Sequence, residues 1–139
     1  MEEEVCLLGL SQISGIGPIL ARNLLEEFGS AKGVFSASRT ELLDIVGIGP
    51  QLAENLSRGF NPSQVAQKLK LFRSRGIQII PYTSVNYPTE LAQIKDGPIF
   101  IYYKGQEVIL NKNPMVAIVG TRNPSRYGKA QCRKIVEEL

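Results

Sequence analysis

The segment ISGIGPILARNL at residues 13–24 decides the fold of the amino-terminal half, because it returns as IVGIGPQLAENL at residues 45–56. Both copies carry glycine, isoleucine, glycine and proline in that order, followed by residues typical of a helix. Glycine permits a tight turn with close backbone approach, and proline is favoured at the first position of a helix. The repeat therefore predicts two helix-hairpin-helix units that pack into one compact helical domain over residues 1–61.

The segments that precede each copy, residues 5–10 and 38–45, are expected to supply the first helix of each unit. Hairpins of this kind often bind duplex phosphates through the turn amides and a basic residue just after the second glycine. In the first copy no cation follows until Arg22, and Glu54 holds the equivalent place in the second copy. We therefore favour a structural or protein-docking role for the helical units over DNA binding.

Residues 62–80 are expected to form a connecting helix and a short strand. Asn61 and Pro62 have the chemistry of a helix start, with Asn as the cap and Pro at the first position. The helix should run to about Arg75, and its basic residues are interpreted as a solvated face. Strands are predicted at residues 77–82 and 99–104. Tyrosines among the basic residues of this region could stack on unpaired bases, although on alternating strand positions they are more often part of a core.

A strand, a loop and a helix are predicted in sequence near the carboxyl end. Residues 116–119 are four apolar residues, which predicts a strand buried on both faces. Gly120 should end it, and a helix is expected from Lys129 to Leu139. A polar loop before a helix amino terminus forms an anion site, because amide N–H groups and the helix dipole face the ligand. The candidate DNA- or phosphate-binding residues are Gly120, Thr121, Arg122, Ser125, Arg126, Tyr127, Gly128 and Lys129. An ordinary turn with a surface arginine is the alternative.

These patterns together predict an α + α/β protein. A helix-hairpin-helix (SAM-like) domain would be followed, over residues 81–139, by the beginning of an incomplete Rossmann-like doubly wound domain. A parallel sheet needs several βαβ units of about 30 residues each. Only the first would fit within this sequence, so we expect the chain to be the amino-terminal part of a longer protein.

Composition excludes several classes of function. The 139 residues contain no histidine, which excludes Ser-His and Cys-His nucleophilic schemes, and two distant cysteines cannot build a zinc site. We expect neither a catalytic site nor a metal nor another cofactor. Unpaired thiols fit a reducing cytoplasm, and no apolar run approaches the roughly 20 residues of a membrane span. Residues 1–60 carry a net charge of −4 and residues 61–139 carry +7, so a polyanion should prefer the second half.

The combined motifs are more specific than any one of them. They are Tyr87-Pro88, Asp96-Gly97-Pro98 and Lys104-Gly105, then residues 116–122 and Ser125-Arg126-Tyr127-Gly128. In this order and spacing they resemble the DNA-processing protein A family, DprA, also called Smf. The preceding helical pair is similar to that family's helix-hairpin-helix (SAM-like) domain, so the resemblance covers almost the whole chain.

The resemblance implies a bacterial cytoplasmic protein that binds single-stranded DNA without being an enzyme. Such proteins protect incoming DNA during natural transformation and load the recombinase RecA onto it. The loop Gly120-Thr121-Arg122 matches part of the family's positively charged DNA pocket, and Arg122 matches an arginine that contacts phosphate. The full-length protein is expected to be a homodimer. The family's dimer and RecA surfaces lie in a carboxyl-terminal half that has no counterpart in this sequence.

Two other functions are compatible with the same residues. Gly-Thr-Arg loops also resemble phosphate pockets of Rossmann-like hydrolases of nucleoside monophosphates, but no carboxylate lies near this loop to act as a general base. Alternatively, the acidic helical half could be a protein-interaction module that docks a basic partner.

Overall fold

The structure is a computed structural model that describes residues 2–105, 110–111 and 116–138. Six helices come first along the chain, then two short strands with a one-turn helix between them, and a last helix. In order they are α1 Glu3–Leu10, α2 Pro18–Phe28, α3 Ala31–Ser36, α4 Arg39–Leu43, α5 Pro50–Arg58, α6 Pro62–Ser74, β1 Gln78–Pro81, α7 Thr89–Ala92, β2 Phe100–Tyr103 and α8 Arg126–Glu138. In the described part of the chain, no helix has the length and apolar character that crossing a bilayer requires.

The two copies of the repeat adopt the same backbone conformation, which confirms the predicted pair of hairpins. Gly15 and Gly47 have φ angles of +91° and +96°, a region that favours glycine. Each hairpin turn also faces the other copy. A Cβ added to Gly15 would come within 3.3 Å of a Leu52 methyl group, and one added to Gly47 would come within 3.7 Å of the equivalent Leu20. The two copies of the repeat therefore contact each other through equivalent residues.

The helical domain has one hydrophobic core, to which all of its helices contribute. Its fully buried side chains include Leu10, Leu24, Leu42 and Leu56. The first helices of both units are present as α1 and α4, as predicted, and Gly29 ends α2 in the left-handed conformation. Helix α3, a short helix between the two units, was not predicted.

The first turn of α3 is held by acceptors from two directions. The Ser30 hydroxyl accepts a bond from the Gly33 amide at 3.0 Å. The Glu3 carboxylate of α1 accepts bonds from the amides of Ala31, at 2.6 Å, and Lys32, at 3.1 Å. Free amides at a helix start need such acceptors. These bonds tie α3 to α1 and so join the two hairpin units.

Helix α6 connects the helical domain to a small sheet, as the sequence predicted. The Asn61 side chain caps it by accepting bonds from the amides of Ser63 and Gln64. Val65 and Leu69 of α6 pack against Val5 and Leu8 of α1 in a second cluster. Strands β1 and β2 pair antiparallel, with Gln78 opposite Tyr103 and Pro81 opposite Phe100. Both strands were predicted, but their pairing was not.

The predicted strand at residues 116–119 is wrong for this structure. These residues form no strand, and Val119 is 91% exposed instead of buried on both faces. A buried strand needs hydrogen-bonded neighbours and covering helices, and the contacts among the described residues supply neither here. The helix expected from Lys129 begins three residues earlier, at Arg126, and ends at Glu138.

Candidate functional site

The eight candidate residues lie together in a surface loop and the first turn of α8, a segment that we call the 120–129 loop. Ser125 caps the helix: its hydroxyl accepts a bond from the Gly128 amide at 3.1 Å, and its carbonyl accepts one from Lys129. The Thr121 hydroxyl accepts a bond from the Asn123 amide at 3.3 Å and closes a tight turn. Thr121 and Ser125 thus shape the loop.

The 120–129 loop carries exposed positive charge. Arg122, Arg126 and Lys129 are exposed, and none of them takes part in an ion pair among the described residues. The first amides of α8 point out of the helix end, where the positive end of the helix dipole lies. Tyr127 is 73% exposed within the same turn. Three exposed cations and an exposed aromatic ring therefore lie within eight residues of one another at the start of α8.

An apolar groove adjoins the 120–129 loop. It lies between the segment before the loop and one side of α8, and its lining includes Ile118, Val119, Cys132, Ile135 and Val136. Glu137 lines its far end. Glu137 is eleven residues beyond the start of α8, which corresponds to about 16 Å along a helix. Glu137 therefore lies about three helical turns from the first turn of α8.

The hairpins carry no comparable cluster of exposed cations. Arg22, the first cation after the turn of the first hairpin, is bonded to backbone carbonyls of the same chain. Arg22 donates from Nη1 to the carbonyl oxygen of Ile94 at 2.8 Å and of Ala92 at 3.4 Å. Its guanidinium carbon lies 5.2 Å from the centre of the Tyr82 ring. In the second copy Glu54 pairs with Arg58. This arrangement supports a structural role for the hairpins.

The motif residues of the 87–98 segment also have structural roles. The Tyr87 side chain is buried, and its hydroxyl donates to the carbonyl of Pro98 at 2.7 Å. Burial raises the pKa of Tyr87 above its ordinary value of 10.0. The Asn111 side chain accepts a bond from the Thr89 amide at 3.0 Å. These bonds hold the turn that receives Arg22, so the Tyr-Pro motif is joined to the helical domain. The sequence contained no signal for this contact across more than 70 residues.

Metal ligands and cysteines are the remaining side chains that could carry chemistry. The part of the chain that the structure describes holds no group of three side chains suited to a metal ion. Cys6 is buried and Cys132 is exposed on α8. Burial raises the pKa of the Cys6 thiol above its ordinary value of 9.0, which disfavours the nucleophilic thiolate.

Comparison with protein families divides the chain as the structure does. A family profile described as SAM-like helix-hairpin-helix tandem matches residues 7–61, which span α1 to α5. A second profile, described as DNA recombination-mediator protein A, matches residues 78–139, from β1 onward.

Three curated proteins are similar in sequence. The DNA processing protein DprA of Bacillus subtilis is 39% identical over 71 residues, which are 51% of this chain and 24% of that protein. Protein Smf of a Synechocystis species is 29% identical over 140 residues, covering 99% of this chain and 35% of that protein. DNA processing protein DprA of Streptococcus pneumoniae is 40% identical over 53 residues, which are 38% of this chain and 18% of that protein. The chain thus spans about a third or less of the length of these relatives.

Proposed function

The chain belongs to the DprA/Smf family of DNA-processing proteins, and we propose that it binds single-stranded DNA through the 120–129 loop. The observation that carries the proposal is the placement of Arg122, Arg126 and Lys129, without ion pairs among the described residues, around the amino terminus of α8. A DNA phosphate fits such a site, because arginine forms bidentate bonds to phosphate oxygens and helix amides add further donors.

Single-stranded DNA is the expected ligand rather than duplex. The loop offers phosphate-binding groups and the exposed Tyr127 ring, and an aromatic ring can stack on a base only where that base is unpaired. Stacking and backbone contacts tolerate any sequence, so binding should be sequence-independent and should weaken steeply as salt rises.

The Rossmann-like fold is part of the same proposal. Val116, Ile118 and Val119 are apolar and exposed, as are Ile135 and Val136 on α8. In a doubly wound sheet such faces are covered by neighbouring strands and helices. We expect residues 116–119 to become a strand when such neighbours pair with them. The 120–129 loop would then follow the carboxyl end of a strand, where sheets of this kind bind ligands.

The wider role is proposed for the whole protein, since the chain spans only part of its relatives. We infer that the whole protein is a cytoplasmic homodimer that protects incoming single-stranded DNA during natural transformation and helps load RecA onto it. RecA-driven strand exchange on DNA coated with the whole protein measures this role, and no increase over uncoated DNA would contradict it.

We further propose that the chain is not an enzyme. Glu137 is the carboxylate that lines the groove beside the 120–129 loop, and it lies three turns along α8 from the helix start. Incubation of the purified chain with nucleoside monophosphates should therefore release no product. Hydrolysis that disappears in Arg122→Ala would overturn this assignment.

Fluorescence anisotropy of a labelled oligothymidine tests the DNA-binding site. We expect Arg122→Ala to weaken binding about tenfold, because a charged hydrogen bond to phosphate contributes roughly 1.5–3 kcal/mol. Arg39→Ala is the matched control, since Arg39 is an exposed arginine in the first turn of α4. It should leave affinity unchanged. Equal affinity for duplex and single strand, or equal loss in both variants, would contradict the proposal.

A further inference from the structure

A second surface combines aromatic rings with cations, at a distance in sequence from the 120–129 loop. We call this surface the α6–β2 strip. It consists of Lys68, Phe72 and Arg75 from the α6 region and Tyr102 and Lys104 from the β2 region. None of these side chains takes part in an ion pair among the described residues. The sequence suggested stacking by tyrosines in this region but could not identify which tyrosine faces solvent.

Tyr102 is held in place by two other rings while half of its surface stays in water. The Phe72 ring lies 5.1 Å from it, centre to centre, at an interplanar angle of 73°, and the Phe100 ring lies 5.4 Å away at 79°. Edge contacts of this kind are favourable for aromatic pairs. Tyr102 is 49% exposed, although Ile79 and Phe100 on the same sheet face pack against the core. The ring is therefore ordered before any ligand arrives.

Three cations lie close in sequence to Phe72 and Tyr102. Lys68 lies one helical turn before Phe72, and its ammonium nitrogen is 5.6 Å from the centre of the Phe72 ring. Arg75 follows Phe72 by three residues and so shares its side of α6. Lys104 is the first residue after β2, two residues beyond Tyr102, and it is exposed.

The opposite flank of α6 is electrostatically different. There Arg73 pairs with Glu4 at 2.6 Å and with Glu2 at 3.9 Å. Helix α6 itself contains no acidic residue. The helix thus has one flank neutralised by α1 and one flank that keeps its positive charge beside exposed aromatic surface.

The pattern of this positive flank fits single-stranded nucleic acid. A strand alternates apolar bases with phosphates, and proteins that bind it combine aromatic platforms with a positively charged path. A duplex presents phosphates but no free base face to Tyr102. An acidic protein would use the cations but would leave the ordered ring without a function.

We propose that the α6–β2 strip is a second contact surface for single-stranded DNA, on which a base stacks against Tyr102 while Lys68, Arg75 and Lys104 contact phosphates. The inference rests on the proposed function for the nature of the ligand, but it concerns a different surface. It gives α6 a role beyond connecting the two parts of the chain.

Anisotropy with the full chain, a labelled oligothymidine and a duplex of equal length tests the strip. Tyr102→Leu should weaken binding to the single strand about fivefold, since loss of one stacked base costs roughly 1 kcal/mol or more. Tyr102→Phe should retain affinity. The double variant Lys68→Ala/Lys104→Ala should also bind less tightly, whereas Lys70→Ala on the outer face of α6 is the matched control. Far-UV circular dichroism and thermal melting verify that each variant is folded.

Photocrosslinking separates the two surfaces directly. With bromouracil in the oligonucleotide, we expect a crosslinked peptide that contains Tyr102, and this peptide should persist in Arg122→Ala. Loss of binding in Arg122→Ala with none in Tyr102→Leu or in the double lysine variant would overturn the strip and leave the proposed function intact. The reverse pattern would overturn the 120–129 loop and support the strip. Equal losses for single strand and duplex in the Tyr102→Leu variant would overturn the stacking role.

Discussion

At the scale of single residues, Arg22 joins the helical domain to the segment that follows it. The guanidinium donates to the carbonyl of Ala92 at the end of α7 and to that of Ile94 just beyond it, and it lies over the Tyr82 ring. Its Nε and Nη2 atoms are buried without a hydrogen-bond acceptor in the described part of the chain. The residue that would have been the nearest phosphate ligand of the first hairpin is therefore a structural bridge.

Arg22→Ala should lower the free energy of unfolding by about 1–3 kcal/mol, because the variant loses charged hydrogen bonds to the carbonyls of Ala92 and Ile94. Urea unfolding followed by circular dichroism measures this. Arg39→Ala, at an exposed position, serves as the control and should change stability little. If DNA binding fell tenfold in a folded Arg22→Ala protein with unchanged stability, Arg22 would be a ligand contact instead.

Single residues also show what sequence reasoning can and cannot reach. The cap at Asn61 was predicted correctly because its side chain acts on neighbouring amides. Ser125 was recognised as part of the candidate site, but its role as the helix cap was missed, so the start of α8 was placed three residues late. The hydrogen-bond partners of Arg22 lie 70 and 72 residues away in sequence, and no local sequence pattern indicates such a contact.

At the scale of elements, the helices were predicted well and the last strand was not. Proline, glycine and cap residues mark helix ends locally, which is why α2, α5 and α6 matched their patterns. A strand is stable only when other strands pair with it. Residues 116–119 have the composition of a buried strand without such partners among the described residues, so composition alone gave the wrong structure there.

The packing of α1 can be tested at Gly9. A Cβ added there would overlap the ring of Phe60, which itself packs against Phe35 with ring centres 4.9 Å apart. Gly9→Ala should therefore destabilise the protein by about 1–3 kcal/mol through overpacking. Gly120→Ala is the control, since nothing lies within 4 Å of its added Cβ. Thermal melting measures both, and equal melting temperatures would contradict the packing described for α1.

The start of α4 should contribute a pH-dependent part of stability. Ser38 and Glu41 form a reciprocal capping box, and hydrogen bonds from the Ser38 side chain and backbone lower the pKa of Glu41 from 4.5. A lowered pKa in the folded state means that this stabilisation is present above pH 4.5 and is lost as pH falls through the folded value. Glu41→Gln should therefore be less stable than the parent protein near neutral pH, and the difference should shrink in acid.

The matched variant for this prediction is Ser38→Ala. In that background the Glu41 side chain loses its hydroxyl partner, so Glu41→Gln should show a smaller pH-dependent difference. Urea midpoints recorded across the acid range give the comparison. A difference between Glu41→Gln and the parent protein that stays constant with pH would contradict an ionised capping box.

At the scale of the whole molecule, charge and structure divide the chain in the same way. The first 60 residues, which form the hairpin domain, carry a net charge of −4, and the rest carries +7. Both surfaces proposed to contact DNA lie in the basic part. Docking of a basic partner protein by the acidic domain, the alternative that the sequence offered, stays a prediction. Composition predicted this division because charge is additive, whereas the placement of Tyr102 and Arg22 depends on how distant segments pack.

The most direct measurement is the salt dependence of oligothymidine binding by the parent chain and by the triple variant Arg122→Ala/Arg126→Ala/Lys129→Ala. Each phosphate contact on a single strand contributes about 0.7 to the slope of log K against log salt concentration. The loop site therefore predicts a slope shallower by roughly 2 in the triple variant, together with weaker binding. An unchanged slope in a folded triple variant would mean that these cations do not meet phosphates, and it would contradict DNA binding at the 120–129 loop.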